Sequence, residues 1–242
     1  MFFVLVKHEN AGGFMAEGEW HALSGSGPST APGVLVVTFG PGMANAVNVV
    51  ANAMQDRVPL IFLTGCVDEA EAACYTHQVF DHQVVLRPIV KASFRVAPGS
   101  IGAVMEKALA LACEGQPGPV HIDVSIFVAE AEISEPVHIL VARSGLRDTP
   151  AGGPCLENAR QMLAVAERSL MVAGVDAVNE GAGAAIEAFC RRFSIPLITS
   201  YKAKGLIDEA DPACLGGAGL SPRADAILMP LIDRSDLVLL VG

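Results

Sequence analysis

The sequence predicts an α/β protein of two parallel-sheet, doubly wound domains, and three observations point to it. Strand-like and helix-like runs alternate along the chain, the pattern that lays helices on the faces of a parallel sheet. The run at 2–6 is apolar throughout, as a buried strand can be, and Ala and Val spread through the periodic segments as expected for helices packed on a parallel sheet. A polar, Gly/Pro-rich stretch at residues 141–156 (Arg143, Ser144, Gly145, Asp148, Pro150, Gly152, Gly153, Pro154) then divides two such series.

In the first series, strands are expected at residues 2–6, 34–38, 60–64, 92–96 and 120–124. The clearest helices are expected at 43–55 and 99–113. In the former, Ala46, Val49, Val50 and Ala53 recur at helical spacing. Residues 24–33 (S-G-S-G-P-S-T-A-P-G) have the composition of a loop. In the second series, helices are expected at 156–166, 181–193 and 223–232, with strands at 170–174, 196–199 and 236–241. The chain begins on a strand and stops at Val241-Gly242, so a fold truncated at both ends is the expectation.

Composition narrows the function classes. Of 242 residues 52% are hydrophobic, yet no run approaches the roughly 18 apolar residues of a membrane span. A formal net charge of -10 with no Lys/Arg cluster argues against a nucleic-acid partner, because phosphate neutralisation supplies most of that affinity. The six cysteines show no C-x-x-C spacing and read as free thiols in a reducing cytoplasm. No basic region precedes Phe2 and Phe3, which argues against a signal peptide and for a cytoplasmic protein.

Chemistry concentrates in K-H-E-N-A-G-G-F-M-A-E-G, residues 7–18, where Glu9 follows an apolar run and precedes a helix. A carboxylate at the carboxyl end of a strand stands where open α/β sheets bind ligands. Burial there would disfavour its ionisation. The alternative is a carboxylate that merely caps the helix. Strand alternation would turn His8 to the face opposite Glu9. Gly40-Pro41-Gly42 follows the next strand and opens the helix bearing Asn45. It serves equally well as a close-approach site for a ligand or as a tight turn. His77, His82 and Cys74 complete no metal-ligand spacing and read as satisfied loop histidines and a thiol, while His121 and Asp123 read as structural.

Taken in order, K-H-E-N-A-G-G-F-M-A-E-G, V-L-V-V-T-F-G-P-G-M-A-N, V-P-L-I-F-L-T-G, H-Q-V-F-D-H-Q-V-V-L-R-P-I-V-K and G-Q-P-G-P-V-H-I-D-V resemble the pyrimidine-binding domain of thiamine-diphosphate enzymes of the acetolactate synthase group. The second half resembles their Rossmann-like central domain through S-L-M-V-A-G, S-Y-K-A-K-G-L-I and R-S-D-L-V-L-L-V-G. The resemblance implies a pyrimidine domain at 1–140 lacking its first strand and helix, a linker at 141–156 and a truncated central domain at 157–242. The diphosphate domain that holds Mg²⁺ would be absent.

It further implies that Glu9 hydrogen-bonds the aminopyrimidine N1′ and promotes the imino tautomer that removes the proton from thiazolium C2. Thr38, Gly40, Pro41, Gly42 and Asn45 would border the pyrimidine, and Gln78 would reach into the active site. Lys91 in R-P-I-V-K would stand near the substrate entrance, or else be a surface lysine at a strand edge. The implied reaction is decarboxylation or carboligation of a 2-keto acid or aldehyde by a homodimer or homotetramer. The chain alone would then turn over no substrate and bind the cofactor weakly.

Two departures are visible. Cys66 stands where acetolactate synthases often carry glutamine. The segment G-G-A-G-L-S-P-R lacks the glycine-histidine element that lines their flavin, which makes FAD binding doubtful. The alternative function is a non-catalytic nucleotide- or CoA-binding fragment, or an assembly fragment, acting through the second half.

Overall fold

The structure, a computed structural model, describes residues 3–24, 31–132 and 152–242. The chain divides into two compact units, Met1–Gly145 and Leu146–Gly242. Most of the expected linker lies outside the described residues.

In the first unit the order is α1 (Glu9–Ser24), β1 (Gly33–Val37), α2 (Pro41–Asp56), β2 (Leu60–Cys66), the short helices α3 (Glu69–Ala72) and α4 (His82–Leu86), β3 (Ala92–Arg95), α5 (Ile101–Cys113), β4 (Pro119–Ser125) and α6 (Ile126–Glu130). The four strands form one parallel sheet in the order β1-β2-β4-β3. Alternation along β2 shows why its first four residues are all apolar. Leu60 and Phe62 pack with α1 and α2 through Trp20, Met43, Ala46, Val49 and Val50, whereas Ile61 packs on the other face with α5 through Ala108 and Ala112. The unit is doubly wound, as expected.

Helix α2 has Pro at its first turn and buries Met43, Ala46, Val49, Val50 and Ala53, one stripe at helical spacing. Its neighbour α1 approaches it closely at Gly13, where an added Cβ would lie 2.4 Å from Cγ1 of the fully buried Val49. Valine is stiff at χ1 and has nowhere to turn there. Gly13→Ala should therefore destabilise the unit by about 1–3 kcal/mol, read by denaturant unfolding.

The expected strand at 2–6 is a correction. Phe2 lies outside the described residues, and residues 3–6 carry no sheet pairing, with Phe3, Val4 and Leu5 exposed. An apolar run becomes a strand only when its N–H and C=O groups find a partner. β1, across from it, pairs with β2 on one edge. A groove of about 870 Å³ separates its other edge from residues 3–7.

The second unit runs α7 (Pro154–Val165), β5 (Ser169–Ala173), α8 (Val175–Asn179), α9 (Gly183–Phe193), β6 (Leu197–Ser200), a 3₁₀ turn (Tyr201–Ala203), β7 (Cys214–Ala218), α10 (Pro222–Arg234) and β8 (Leu237–Val241). Its sheet is again parallel, in the order β7-β6-β5-β8. Met171 and Leu197 face α9 through Ile186 and Cys190, while Leu170 and Ile198 face α10 through Leu228. The strand β7 was not expected. Its glycines lower strand propensity, and Gly216, at φ 106, sits at the register shift opposite Leu197 and Ile198. The six cysteines are free thiols. Among the described residues no helix is long and apolar enough to cross a membrane.

Candidate active site

The carboxyl ends of β1, β2 and β4 converge on the turn Gly40-Pro41-Gly42. Gly40 has φ 57 and ψ -112. A Cβ there would lie 2.1 Å from the carbonyl oxygen of Gln78, so only glycine fits. Gln78 itself has φ 59, a left-handed conformation unusual for its residue type. Gly42 is just as confined. Its Cβ would meet Thr38 Cγ2 at 2.6 Å and Glu9 Oε1 at 3.5 Å.

Glu9 occupies the first turn of α1, not a strand end. His8 precedes the helix and caps it: its carbonyl accepts from the Ala11 N–H at 3.0 Å, and its Nδ1 accepts from the Asn10 N–H at 3.2 Å. His8 thus takes the Asn10 N–H, while the Glu9 carboxylate accepts its own backbone N–H at the helix start. His8 does not face away, because the chain here bends into the helix instead of running as a strand. Its Nδ1 lies 3.9 Å from Glu9 Oε2. Across the helix pair, Asn45 Nδ2 donates to Glu9 Oε2 at 3.1 Å.

The expectation of a buried, reluctantly ionised carboxyl is corrected as well. Glu9 is half-buried, with its side chain 27% exposed. Its carboxyl is held below the ordinary glutamate value. The backbone N–H at the helix start contributes most, against modest desolvation, and the Asn45 amide and His8 add to it. Asn45→Ala should move the Glu9 carboxyl upward, because a donor to the charged form is lost. Carbon-detected titration of the Glu9 side chain reads this directly.

Glu9, Thr38, Gly42 and Asn45 therefore form one group, with Pro41 in the first turn of α2 and with Gly40 and Gln78 packed on its flank. Lys91 is not part of it. It precedes β3 at the amino end of the sheet, where its Nζ donates to the Glu114 carbonyl at 2.7 Å and its stem lies against Gly118. Desolvation pushes its ammonium below the ordinary lysine value.

Behind the turn lies a network that the sequence did not reveal as part of the site. His82 Nε2 accepts the Gly40 N–H at 3.0 Å, so its ring proton sits on Nδ1, which donates to Asp123 Oδ1 at 2.7 Å. Thr64 Oγ1 donates to the same oxygen at 2.6 Å and accepts from His121 Nε2 at 2.8 Å, while His121 Nδ1 pairs with Ser93 Oγ. Thr64, His82, His121 and Asp123 are all buried. Burial alone would raise the Asp123 carboxyl. The hydrogen bonds from His121, His82 and Thr64 outweigh it and hold the group far below the usual carboxylate range.

His82, His121 and Asp123 place ligand atoms within 4.8 Å of one another, a spacing a metal ion could use. A metal on His82 Nδ1 would move that ring's proton to Nε2, against the Gly40 N–H, so the hydrogen-bonded reading is the consistent one. Cys74 and His77 are exposed and stand apart from this cluster. Beside it opens a cavity of about 450 Å³ lined by Gln78, His82, Arg95 and Asp123 among others. Cys66, also on its wall, has its thiol pushed up to about 11 by burial and by Asp123.

Thiamine diphosphate fits what the Glu9 group offers. A side chain on either glycine of the turn would fill the space beside Glu9 Oε1 or collide with Gln78. The available carboxylate oxygen can accept from a protonated ring nitrogen.

Comparison with known proteins gives the following. The N-terminal TPP binding domain of thiamine pyrophosphate enzymes matches residues 1–85, and the central domain of the same enzymes matches residues 156–242. An acetolactate synthase of Arthrospira platensis is 35% identical over 246 residues, covering 98% of this chain and 41% of the relative. A probable 2-ketoarginine decarboxylase of Pseudomonas aeruginosa is 32% identical over 247 residues, covering 99% and 41%. A probable acetolactate synthase large subunit of Methanococcus aeolicus is 30% identical over 247 residues, covering 100% and 40%. The chain spans about two fifths of the length of these relatives.

Proposed function

This chain belongs to the thiamine pyrophosphate enzymes, and we propose that its first unit binds the aminopyrimidine of thiamine diphosphate against Glu9 in an enzyme that decarboxylates or joins 2-keto acids or aldehydes. The observation that carries this reading is the placement of the Glu9 carboxyl group beside the glycine turn, with Asn45 fixing one of its oxygens. Bound there, the cofactor supplies carbanion chemistry at its thiazolium carbon.

The protein's part is positional and protonic. Glu9 holds or releases a proton at N1′. Asn45 fixes the carboxylate plane, and Thr38, Gly40, Pro41 and Gly42 form a wall close enough for ring contact. Gln78 approaches from the flank toward the 450 Å³ cavity, which has room for a small keto acid. In this reading Mg²⁺ would be held with the diphosphate and not by the Glu9 group. The working enzyme in this reading is a cytoplasmic homodimer or homotetramer.

A nucleotide- or CoA-binding role for the second unit has less support. A cavity of about 420 Å³ in this unit is lined by Ser169, Leu170, Pro196 and Leu215, at or near the amino ends of its strands, whereas open α/β sheets take such ligands at the carboxyl ends. The test is turnover by the whole enzyme of a panel of 2-keto acids, with and without thiamine diphosphate and Mg²⁺. Carbon dioxide release or carbon–carbon bond formation that depends strictly on the cofactor is expected. Retention of CoA or a nucleotide with no cofactor-dependent turnover would overturn the proposal.

A further inference from the structure

We propose that His82 is a positioning residue: held by Asp123 in the Nδ1–H tautomer, it accepts the Gly40 N–H through Nε2 and so fixes the turn that sets Gly42 and Asn45 against Glu9. The argument begins at the helix start. The first N–H groups of a helix have no intrahelical acceptor. Gly40, before α2, has no side chain with which to cap it. Its left-handed φ turns its buried N–H inward, where a buried donor needs a partner. His82 Nε2 is that partner at 3.0 Å.

The ring cannot adopt the other tautomer without facing one N–H with another. Asp123, at 2.7 Å from Nδ1, selects the right one. Asp123 is fixed in turn by Thr64, Thr64 by His121, and His121 by Ser93, so the orientation is handed from three strands to the turn. From the turn, the path continues through α2 to Asn45 and its 3.1 Å contact with Glu9.

The arrangement is proton-sensitive. Around His82 stand Asp123 and His121 of β4, Thr64 and Cys66 of β2, Arg95 of β3 and Asp81 at the start of its own helix. The Phe80 ring meets it edge-on at 5.4 Å. With Nδ1 already protonated toward Asp123, a second proton on the ring can go only to Nε2, where it evicts the Gly40 N–H. Acidification then loosens the turn and the Asn45–Glu9 contact together. The consequence for catalysis rests on the proposed cofactor reading; the lock on Gly40 does not.

The test uses the whole ¹⁵N-labelled chain without cofactor. Long-range ¹H–¹⁵N spectra report the His82 tautomer, while the Gly40 amide and the Asn45 side-chain amide are followed across pH. At neutral pH, Nδ1–H with unprotonated Nε2 is expected. On acidification both amides should shift with the midpoint of the His82 ring nitrogens, and Gly40 exchange should quicken by at least about tenfold. His82→Gln keeps an acceptor near Nε2 without a titration, so Gly40 should stay protected at every pH. His82→Leu should lose protection at every pH, with the amides of β2 and α5 in the same unit reporting on folding. An Nε2–H tautomer in the wild type, or Gly40 and Asn45 amides indifferent to His82 protonation, would overturn the proposal. Neither readout requires a variant to fold, and neither depends on thiamine diphosphate binding.

Discussion

Glu9→Gln should slow deuterium exchange at thiazolium C2 by about 10²–10⁴-fold in the whole enzyme while leaving thiamine diphosphate bound, the span that one positioned acid–base group supplies. Glutamine matches glutamate in size and can still accept from the Asn45 amide through its oxygen, so the contact between α1 and α2 survives. What disappears is the negative charge and its proton affinity. The Glu9 carboxyl lies below its ordinary range because the helix-start N–H, then Asn45 and His8, favour the anion over the effect of desolvation. The wild type therefore keeps the carboxylate ionised throughout the neutral range. Loss of exchange on acidification should begin only as the pH falls through that lowered value. In Glu9→Gln the rate should be low and should lack this acid limb. A merely capping glutamate would show neither effect, and His8 already takes the Asn10 N–H.

Asp123→Asn should destabilise the first unit by about 2–4 kcal/mol at pH 7, a melting-temperature loss of roughly 10 °C. The buried carboxylate accepts from His82 and from Thr64 at one charged oxygen, and the neutral amide oxygen that replaces it accepts both more weakly. The sign with pH follows from its depressed value. A carboxyl held below its unfolded value of about 4 contributes stability in full above that value. The contribution fades as the pH falls from there toward the folded value. The difference between wild type and Asp123→Asn should thus be constant from pH 6 to 8 and shrink steadily below about pH 4. Urea unfolding at several pH values, followed by probes in each unit, measures it. A gap that widens in acid would contradict the assignment of the charge to Asp123.

The parallel sheets were legible because their strands are buried on both faces. Residues 60–63 are apolar at every position, Pro119–Ser125 sets Val120, Ile122 and Val124 between polar residues that the fold also buries, and α2 carries one apolar stripe. Residues 3–6 have the same local character and yet pair with nothing. Pairing depends on a neighbour, which periodicity does not encode. β7 went unseen for the converse reason: a strand supplied by β6 overrides the poor propensity of Gly216 and Gly217.

At the site, the order K-H-E, G-P-G and Asn45 identified a group that does assemble, because α1 and α2 are adjacent in sequence and in space. The direction of the Glu9 shift was misjudged. Helix-start dipoles act through backbone orientation, and the sequence suggested a strand end instead. His121 and Asp123 stand two apart on one strand and so share a face, a signal that could have flagged them. That His82 joins them from a segment some 40 positions earlier is a product of the fold.

The central claim is that Glu9 acts through N1′ of the aminopyrimidine. A double cycle on C2 exchange tests it most directly, combining wild type and Glu9→Gln with thiamine diphosphate and with an analogue bearing carbon in place of N1′. If the two groups work as one, each single change should slow exchange by a similar factor and the pair should be no slower than either alone. Factors that multiply would show that Glu9 and N1′ act independently, and would contradict the account.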